Sequence, residues 1–313
     1  MTDEEKNDSN FHKIIFEICD ELGIKYKTFS KNWVVMLKKD NQVRFICGYK
    51  FDTSRHALGR ILDDKFATFD LLNNSGISVI EHNIIYKESN NHSYASDCKG
   101  IDYLKQLFEK YDRNVVLKIN GGSCGVGVTH ITCGEDLETN FEQMSENRHS
   151  LSVCPYYNIL NEYRAIIVNG EIQLLYKKIK PLVVGDGKST IKELLQKFNF
   201  SHFQNYERDD KDEVLPNGEI YEYDWKFNLS RGAISSFDVS EIERIKIEEI
   251  VNKINAIIPL SFCSVDIVKT IENEYLVMEI NSGVMMNNFI SQQKDGYFIA
   301  KNIYKKAILS MFE

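Results

Sequence analysis

The stretch FCSVDIVKTIENEYLVMEIN, residues 262–281, reads as two β-strands folded back on each other. Phe262–Lys269 and Glu274–Ile280 are rich in β-branched and aromatic residues, and Ile271-Glu272-Asn273 separates them. With Glu272-Asn273 as a two-residue turn, Ile271 faces Glu274 and Asp266 falls directly opposite Glu279, with Cβ atoms about 4.5–5.5 Å apart. Side chains alternate along a strand, so Asn281 shares the face of Glu279. Opposed carboxylates repel unless a cation lies between them. The competing reading, two acids facing solvent at a sheet edge, is disfavoured by the apolar neighbours Val265, Ile267, Met278 and Ile280. Oxygen donors without His or Cys select magnesium, which commonly bridges to phosphates.

A phosphate cradle is therefore sought upstream. The strand-like run Val115–Ile119 leads into Asn120-Gly-Gly-Ser-Cys-Gly-Val-Gly-Val128, directly after Lys118. Glycines let backbone N–H groups converge on phosphate oxygens, and a lysine adds a point charge. The pattern is neither GxGxxG nor GxxxxGK[ST], because the lysine precedes the glycines and a strand follows. Taken alone, the segment is equally a tight turn. Lys65, in Asp63-Asp64-Lys65 at the start of a helical stretch, is a second cation that by itself reads as a solvated surface charge.

The 313 residues, 43% of them hydrophobic, suffice for two or three small domains. The net charge of −8 carries no basic stripe, which argues against a nucleic-acid or anionic-membrane surface. No apolar run is long enough to span a bilayer and Met1–Asn10 is polar and acidic, so a cytoplasmic location is expected. Seven widely spaced cysteines (19, 47, 98, 124, 133, 154, 263) support neither zinc nor a disulfide framework.

Periodicity predicts an amphipathic helix over 11–23 ending at Gly23, strands at Trp33–Leu37 and Val43–Cys47, and helices at about 64–75 and 101–111. Asn169-Gly170 marks a hairpin between Tyr163–Val168 and Glu171–Tyr176. A short helix at 189–198 precedes a polar connection at 199–212. Ser240 and Glu243 form a capping box for a helix through Ile245, Ile250 and Ile254, and a last helix covers about 297–311. A regular two-residue turn at 169–170 sets Glu162 opposite Lys177, as an ordinary cross-strand ion pair would be. A bulge would bring in Lys178 instead, and the sequence leaves both open.

In order, these elements resemble the ATP-grasp superfamily over roughly residues 61–293. Asp64-Lys65, Leu71-Leu72 and Gly76-Ile77 resemble its DK…LL…GI segment, Lys118 with the 120–128 loop its second lysine and phosphate-covering loop, and Asp266, Glu279 and Asn281 its D…ExN metal set. The likeness is greatest to the ligase regions of cyanophycin synthetase and bifunctional glutathione synthetase, through Val183-Val-Gly-Asp-Gly-Lys-Ser-Thr-Ile-Lys-Glu-Leu194, Leu215-Pro-Asn-Gly-Glu219 and Lys226-Phe-Asn-Leu-Ser-Arg-Gly232.

The resemblance implies an α+β fold with a small N-terminal α/β substrate domain (1–62). Two α+β subdomains (63–153 and 154–313) would then clasp ATP. It implies ATP and Mg2+, or Mn2+, as cofactors. Lys65, Lys118 and the loop residues Gly122, Ser123, Gly125 and Gly127 would hold the phosphates. Cys154, Tyr156 and Tyr157 would form an adenine hinge through backbone groups, and Glu162 would accept from the ribose hydroxyls. Arg164 and Lys178 would face the reacting groups, Lys178 standing where arginine is common, and Arg231 would either read an anionic acceptor or be solvated. Cys154 replaces a common acid, and Ser282-Gly283-Val-Met-Met286 replaces the usual Pro-Gly after the metal asparagine.

The function implied is an ADP-forming carboxylate–amine ligase working through an acylphosphate. Its substrates would be small carboxylates and amines such as amino acids or peptides, and a homodimer is left open. A small-molecule kinase and a non-catalytic nucleotide-binding protein are the alternatives.

Overall fold

The computed structural model describes residues 3–87, 100–122, 125–146, 150–197 and 208–313. Helix α1 (Asp3–Leu22) stops at Gly23 and is followed by an antiparallel sheet in chain order, β1 (Lys25–Phe29), β2 (Val34–Lys39), β3 (Gln42–Cys47) and β4 (Lys50–Phe51). Helices α2 (His56–Leu62) and α3 (Lys65–Asn74) come next, and the Asp64 carboxylate caps α3 by accepting from Ala67 N–H (2.8 Å).

A second sheet contains β5 (Asn83–Tyr86), β6 (Val115–Ile119), β7 (Val128–Ile131) and β8 (Ser150–Pro155), in the order β5-β8-β6-β7. Helices α4 (Gly100–Lys110) and α5 (Gly134–Ser145) cover it through Leu104, Leu107, Phe108 and Leu137. The largest sheet runs β13-β10-β9-β14-β15, from β9 (Ile159–Val168), β10 (Glu171–Ile179), β13 (Ile234–Ser236), β14 (Phe262–Thr270) and β15 (Tyr275–Asn281). Between β10 and β13 the chain forms a small unit of β11 (Leu182–Val184), α6 (Ile191–Gln196) and β12 (Ile220–Glu222), with its own core of Val183, Ile191, Leu195 and Tyr223. Residues 198–207, which include most of the expected polar connection, lie outside the described residues.

Strand alternation divides the large sheet into two faces. Tyr163, Ala165, Ile167, Val265 and Ile267 pack under α7 (Glu241–Ile257) together with Leu62 and Leu72 of α2 and α3. The capping box of α7 is present as read from Ser240 and Glu243, but its inward residues are Ile247, Val251 and Ile254, while Ile245 is exposed. The α3 helix, placed in the middle subdomain by the expected boundary at 62/63, thus packs on the large sheet.

The opposite face carries Ile166, Val168, Leu174 and Phe262 against α1, β2–β4, α8 (Asn287–Gln292) and α9 (Gly296–Ser310). That same face carries Glu162, Arg164, Lys178 and Asp266 farther along the strands. No described helix is long and apolar enough to cross a membrane.

Candidate active site

Asp266 pairs with Glu279 across β14 and β15, as the sequence predicts, but by a different route. The turn has three residues, Ile271–Asn273, closed by Thr270 N–H to Glu274 O (2.9 Å) and Asn273 N–H to Thr270 O (3.0 Å), with Asn273 left-handed at φ 65°. This replaces the expected two-residue turn and shifts the pairing so that Ile267 faces Val277. A bulge at Met278 then restores Asp266↔Glu279 and Ser264↔Asn281. Asn281 Nδ2 donates to Glu279 Oε1 (3.0 Å), fixing both side chains and leaving the Asn281 carbonyl oxygen for another partner.

A second bulge settles the lysine ambiguity. Asn169 and Gly170 both have positive φ (51° and 80°), as the tight hairpin turn requires, and Val168 faces Glu171. Gln173 is then bulged out, so Lys178 rather than Lys177 lies opposite Glu162. Lys178 is buried and its ammonium donates to Glu162, whereas Lys177 reaches outward to Asp238 (3.3 Å).

Asp266, 1% exposed, is held by Arg164 through a two-pronged contact, Nε to Oδ1 (2.7 Å) and an Nη to Oδ2 (2.6 Å), and lies 3.3 Å from Lys178. The repulsion expected between opposed acids is thus largely relieved by protein cations. Burial disfavours the charged form of Asp266, but Arg164 and Lys178 outweigh it and hold the carboxyl well below its usual range. For Glu162, burial prevails over the pull of Lys178 and raises the pKa.

Facing this sheet across a cleft are the phosphate candidates. Lys65 Nζ donates to Gly122 O (2.6 Å) and lies 3.9 Å from Glu279 Oε2, and Phe66 N–H donates to Asn120 Oδ1 (3.2 Å). The first turn of α3 and the glycine loop are thereby latched to each other beside the acids. Burial lowers the Lys65 pKa against the attraction of Glu279. Lys118, Gly122 and Gly125 line the same cleft. Ser123 and Cys124 lie outside the described residues. Gly127 is not a lining residue: a Cβ there would sit 2.3 Å from Ile119 Cδ1 at φ +63°, so the position demands glycine for packing.

Cys154, Tyr156 and Tyr157 line the cleft from the end of β8. The Tyr156 N–H is already donated to Asn114 O (2.9 Å), so this residue offers its ring and not its backbone donor, contrary to expectation. That ring stacks on His130 at 4.0 Å. Arg231 is expected either to read an anionic acceptor or to be solvated. It does not line the cleft, and its Nε donates to Asp224 (2.9 Å).

Its neighbours Trp225–Ser230 do line it, and Lys226 Nζ reaches Val128 O (2.7 Å) at the end of the glycine loop. Sequence reasoning treated this segment only as a likeness and missed it as a wall. It also missed the apolar lining residues Ile80, Val116 and Met278, which have no polar signal to betray them.

The donor set fits a hard divalent cation. Asp266, Glu279 and the free Asn281 oxygen supply only oxygen, and the described residues contain no three-membered His/Cys/Asp/Glu cluster able to enclose a metal. Two carboxylates and an amide suit an ion that keeps positions for phosphate and water.

No family model matches the sequence. A bifunctional glutathione synthetase from Pasteurella multocida superposes on 94% of this chain with TM-score 0.53 and 16% identity, the chain covering 44% of that protein. The fold is the ATP-grasp fold. A D-alanine–D-alanine ligase from Bacillus anthracis shares the ATP-grasp architecture over 80% of this chain and 66% of its own (TM-score 0.52, 15% identity). In sequence, a cyanophycin synthetase from Geminocystis herdmanii is 26% identical over 229 residues, 66% of this chain and 25% of that one. Another, from Trichormus variabilis, is 30% identical over 86 residues, 27% of this chain and 9% of that one. The chain spans a quarter or less of the length of these curated relatives.

Proposed function

We propose that the chain is an ATP-dependent ligase that joins a carboxylate to an amine, releasing ADP and phosphate. The observation that carries this reading is the single cleft in which Arg164, Lys178, Asp266, Glu279 and Asn281 face Lys65, Lys118 and the glycine loop. In the first step a substrate carboxylate oxygen bonds to the γ-phosphorus as the bond to ADP breaks. In the second the amine nitrogen bonds to the acyl carbon, phosphate leaves, and the nitrogen gives up a proton.

Lys65 and Lys118 neutralise phosphate charge during transfer, the main catalytic need of such a step. Arg164 is held in plane by Asp266 and keeps N–H groups for the transferred phosphoryl. Glu162 Oε1 is engaged by Lys178, and its second oxygen is left for a ribose hydroxyl. Magnesium, or manganese, held by Asp266, Glu279 and Asn281 would supply further charge neutralisation. The glycine loop excludes water that would hydrolyse the acylphosphate. Relatedness to the cyanophycin and glutathione synthetases supports amino acids or peptides as substrates.

The test is incubation with ATP, magnesium and pairs of amino acids. Equimolar ADP and amide are expected. A phosphorylated hydroxyl product would favour a kinase, and absence of any ADP a binding protein. Full activity in Asp266→Asn would sink the metal assignment.

A further inference from the structure

Beyond Asn281 the strand β15 loses its ladder with β14, whose last pair is Ser264↔Asn281. The residues that follow are held instead by the segment 49–63. Gly283 bridges to Lys50 of β4, Val284 N–H donates to Tyr49 O (3.2 Å), and Ser282 Oγ donates to Asp63 Oδ1 (2.8 Å). The other Asp63 oxygen accepts from the Lys50 ammonium. Each oxygen of this carboxylate therefore has its own donor, and both donors belong to the backbone that leaves the cation site.

Asp63 is itself anchored. Its N–H donates to Gly59 O (3.2 Å) at the end of α2, and its neighbour Leu62 is buried with Val265 and Ile267 under the large sheet. The two acids of Asp63-Asp64-Lys65 thus divide their work, Asp64 capping α3 and Asp63 reaching the strand end. Two residues after Asp63 comes Lys65, whose ammonium lies 3.9 Å from Glu279. Asn281, Gly283 and Val284 line the cleft, whereas Asp63 and Ser282 do not, so Asp63 acts through the residues it holds.

We propose that Asp63 is a positioning residue for the cation site, fixing Asn281 and Glu279 at a set distance from Lys65 through its bond to Ser282. The proposal rests on the nucleotide and cation part of the reading above and names what holds that site in register. Magnesium demands near-ideal ligand geometry, and a chelate with phosphates also fixes where the lysine must stand. A strand end without a ladder partner opens easily, and groups behind the ligands supply the missing rigidity.

The experiment follows manganese binding to the full chain with a non-hydrolysable ATP analogue by electron paramagnetic resonance, alongside thermal melts. Asp63→Ala and Ser282→Ala should each weaken manganese binding by roughly tenfold or more. The double variant should bind no more weakly than Asp63→Ala, because both changes break one contact. Asp63→Asn keeps an oxygen for Ser282 and should recover most of the affinity. Unchanged manganese affinity in Asp63→Ala overturns the proposal even if melting is lowered, and so do fully additive losses in the double variant. The expected binding pattern in a chain that yields neither ADP nor amide would uphold this inference and remove the ligase reading.

Discussion

Lys177 and Lys178 are adjacent in sequence and opposite in consequence. Lys178 is enclosed with Glu162, Arg164 and Asp266, while Lys177 pairs with Asp238, whose side chain is 89% exposed. Lys178→Ala leaves buried acids short of a cation and should cost about 3–5 kcal/mol, together with loss of turnover. Lys177→Ala should cost under about 1 kcal/mol and keep turnover. Denaturant melts and ADP release on both variants check this, and equal effects would refute the observed register.

Asp266 makes a pH prediction. Its folded pKa is depressed, so its stabilisation is present above its unfolded value of 3.8 and fades as pH falls below that. Glu162 is shifted the other way, so protonating it in acid relieves a cost. The loss of stability on acidification should therefore be steeper in the natural chain than in Asp266→Asn, as thermal melts from pH 6 to 2 would report. Asp266 was legible in the sequence because a charged group inside an apolar strand stands out, whereas Glu162, Arg164 and Lys178 were named only through the family resemblance. Which of two neighbouring lysines turns inward was not legible, because Gln173 carries no chemical mark of a bulge.

At the scale of elements, hairpin β14–β15 shows how a correct pairing can follow from an incorrect turn. The extra turn residue and the bulge at Met278 offset each other, so the site register survived while the register of Ile267 to Lys269 did not. Bulges answer to pairing on both sides of a strand, and β14 is also bound to β9. Local sequence contains only half of that constraint.

The glycine loop was legible as a loop, but not which glycines serve ligand and which serve packing. Gly127→Ala should clash with Ile119 in a left-handed position and destabilise the chain by about 1–3 kcal/mol. Adding Ile119→Val removes the clashing Cδ1 and should recover part of the loss in the double variant. A double variant no more stable than Gly127→Ala would refute the packing account.

At the scale of the molecule, the N-terminal segment is not an appendage. Phe11, Ile14, Ile15 and Ile18 are buried in one core with Phe262, Ile303, Tyr304 and Ala307, and Lys301 bonds to Glu17 and Glu21. The expected substrate domain over 1–62 shares this core with α9, a partnership not legible in the sequence because periodicity reveals an apolar face but not what covers it. Burying four such side chains contributes about 6–12 kcal/mol, comparable to the stability of a whole domain. Deleting residues 1–51 should therefore abolish cooperative melting. A shortened chain that melts at the natural temperature would contradict this core.

The contact between Glu17 and Lys301 spans 284 positions of sequence. Emerging from a ribosome at roughly 5–20 residues per second, α1 waits on the order of tens of seconds before α9 exists to cover it. Throughout that interval α1 has Val35, Leu37, Ile46 and Phe51 of the first sheet beside it but lacks the Ile303, Tyr304 and Ala307 side of its core. This core therefore closes only once α9 has been made, and its yield in vivo should respond to chaperones that shield α1 until then.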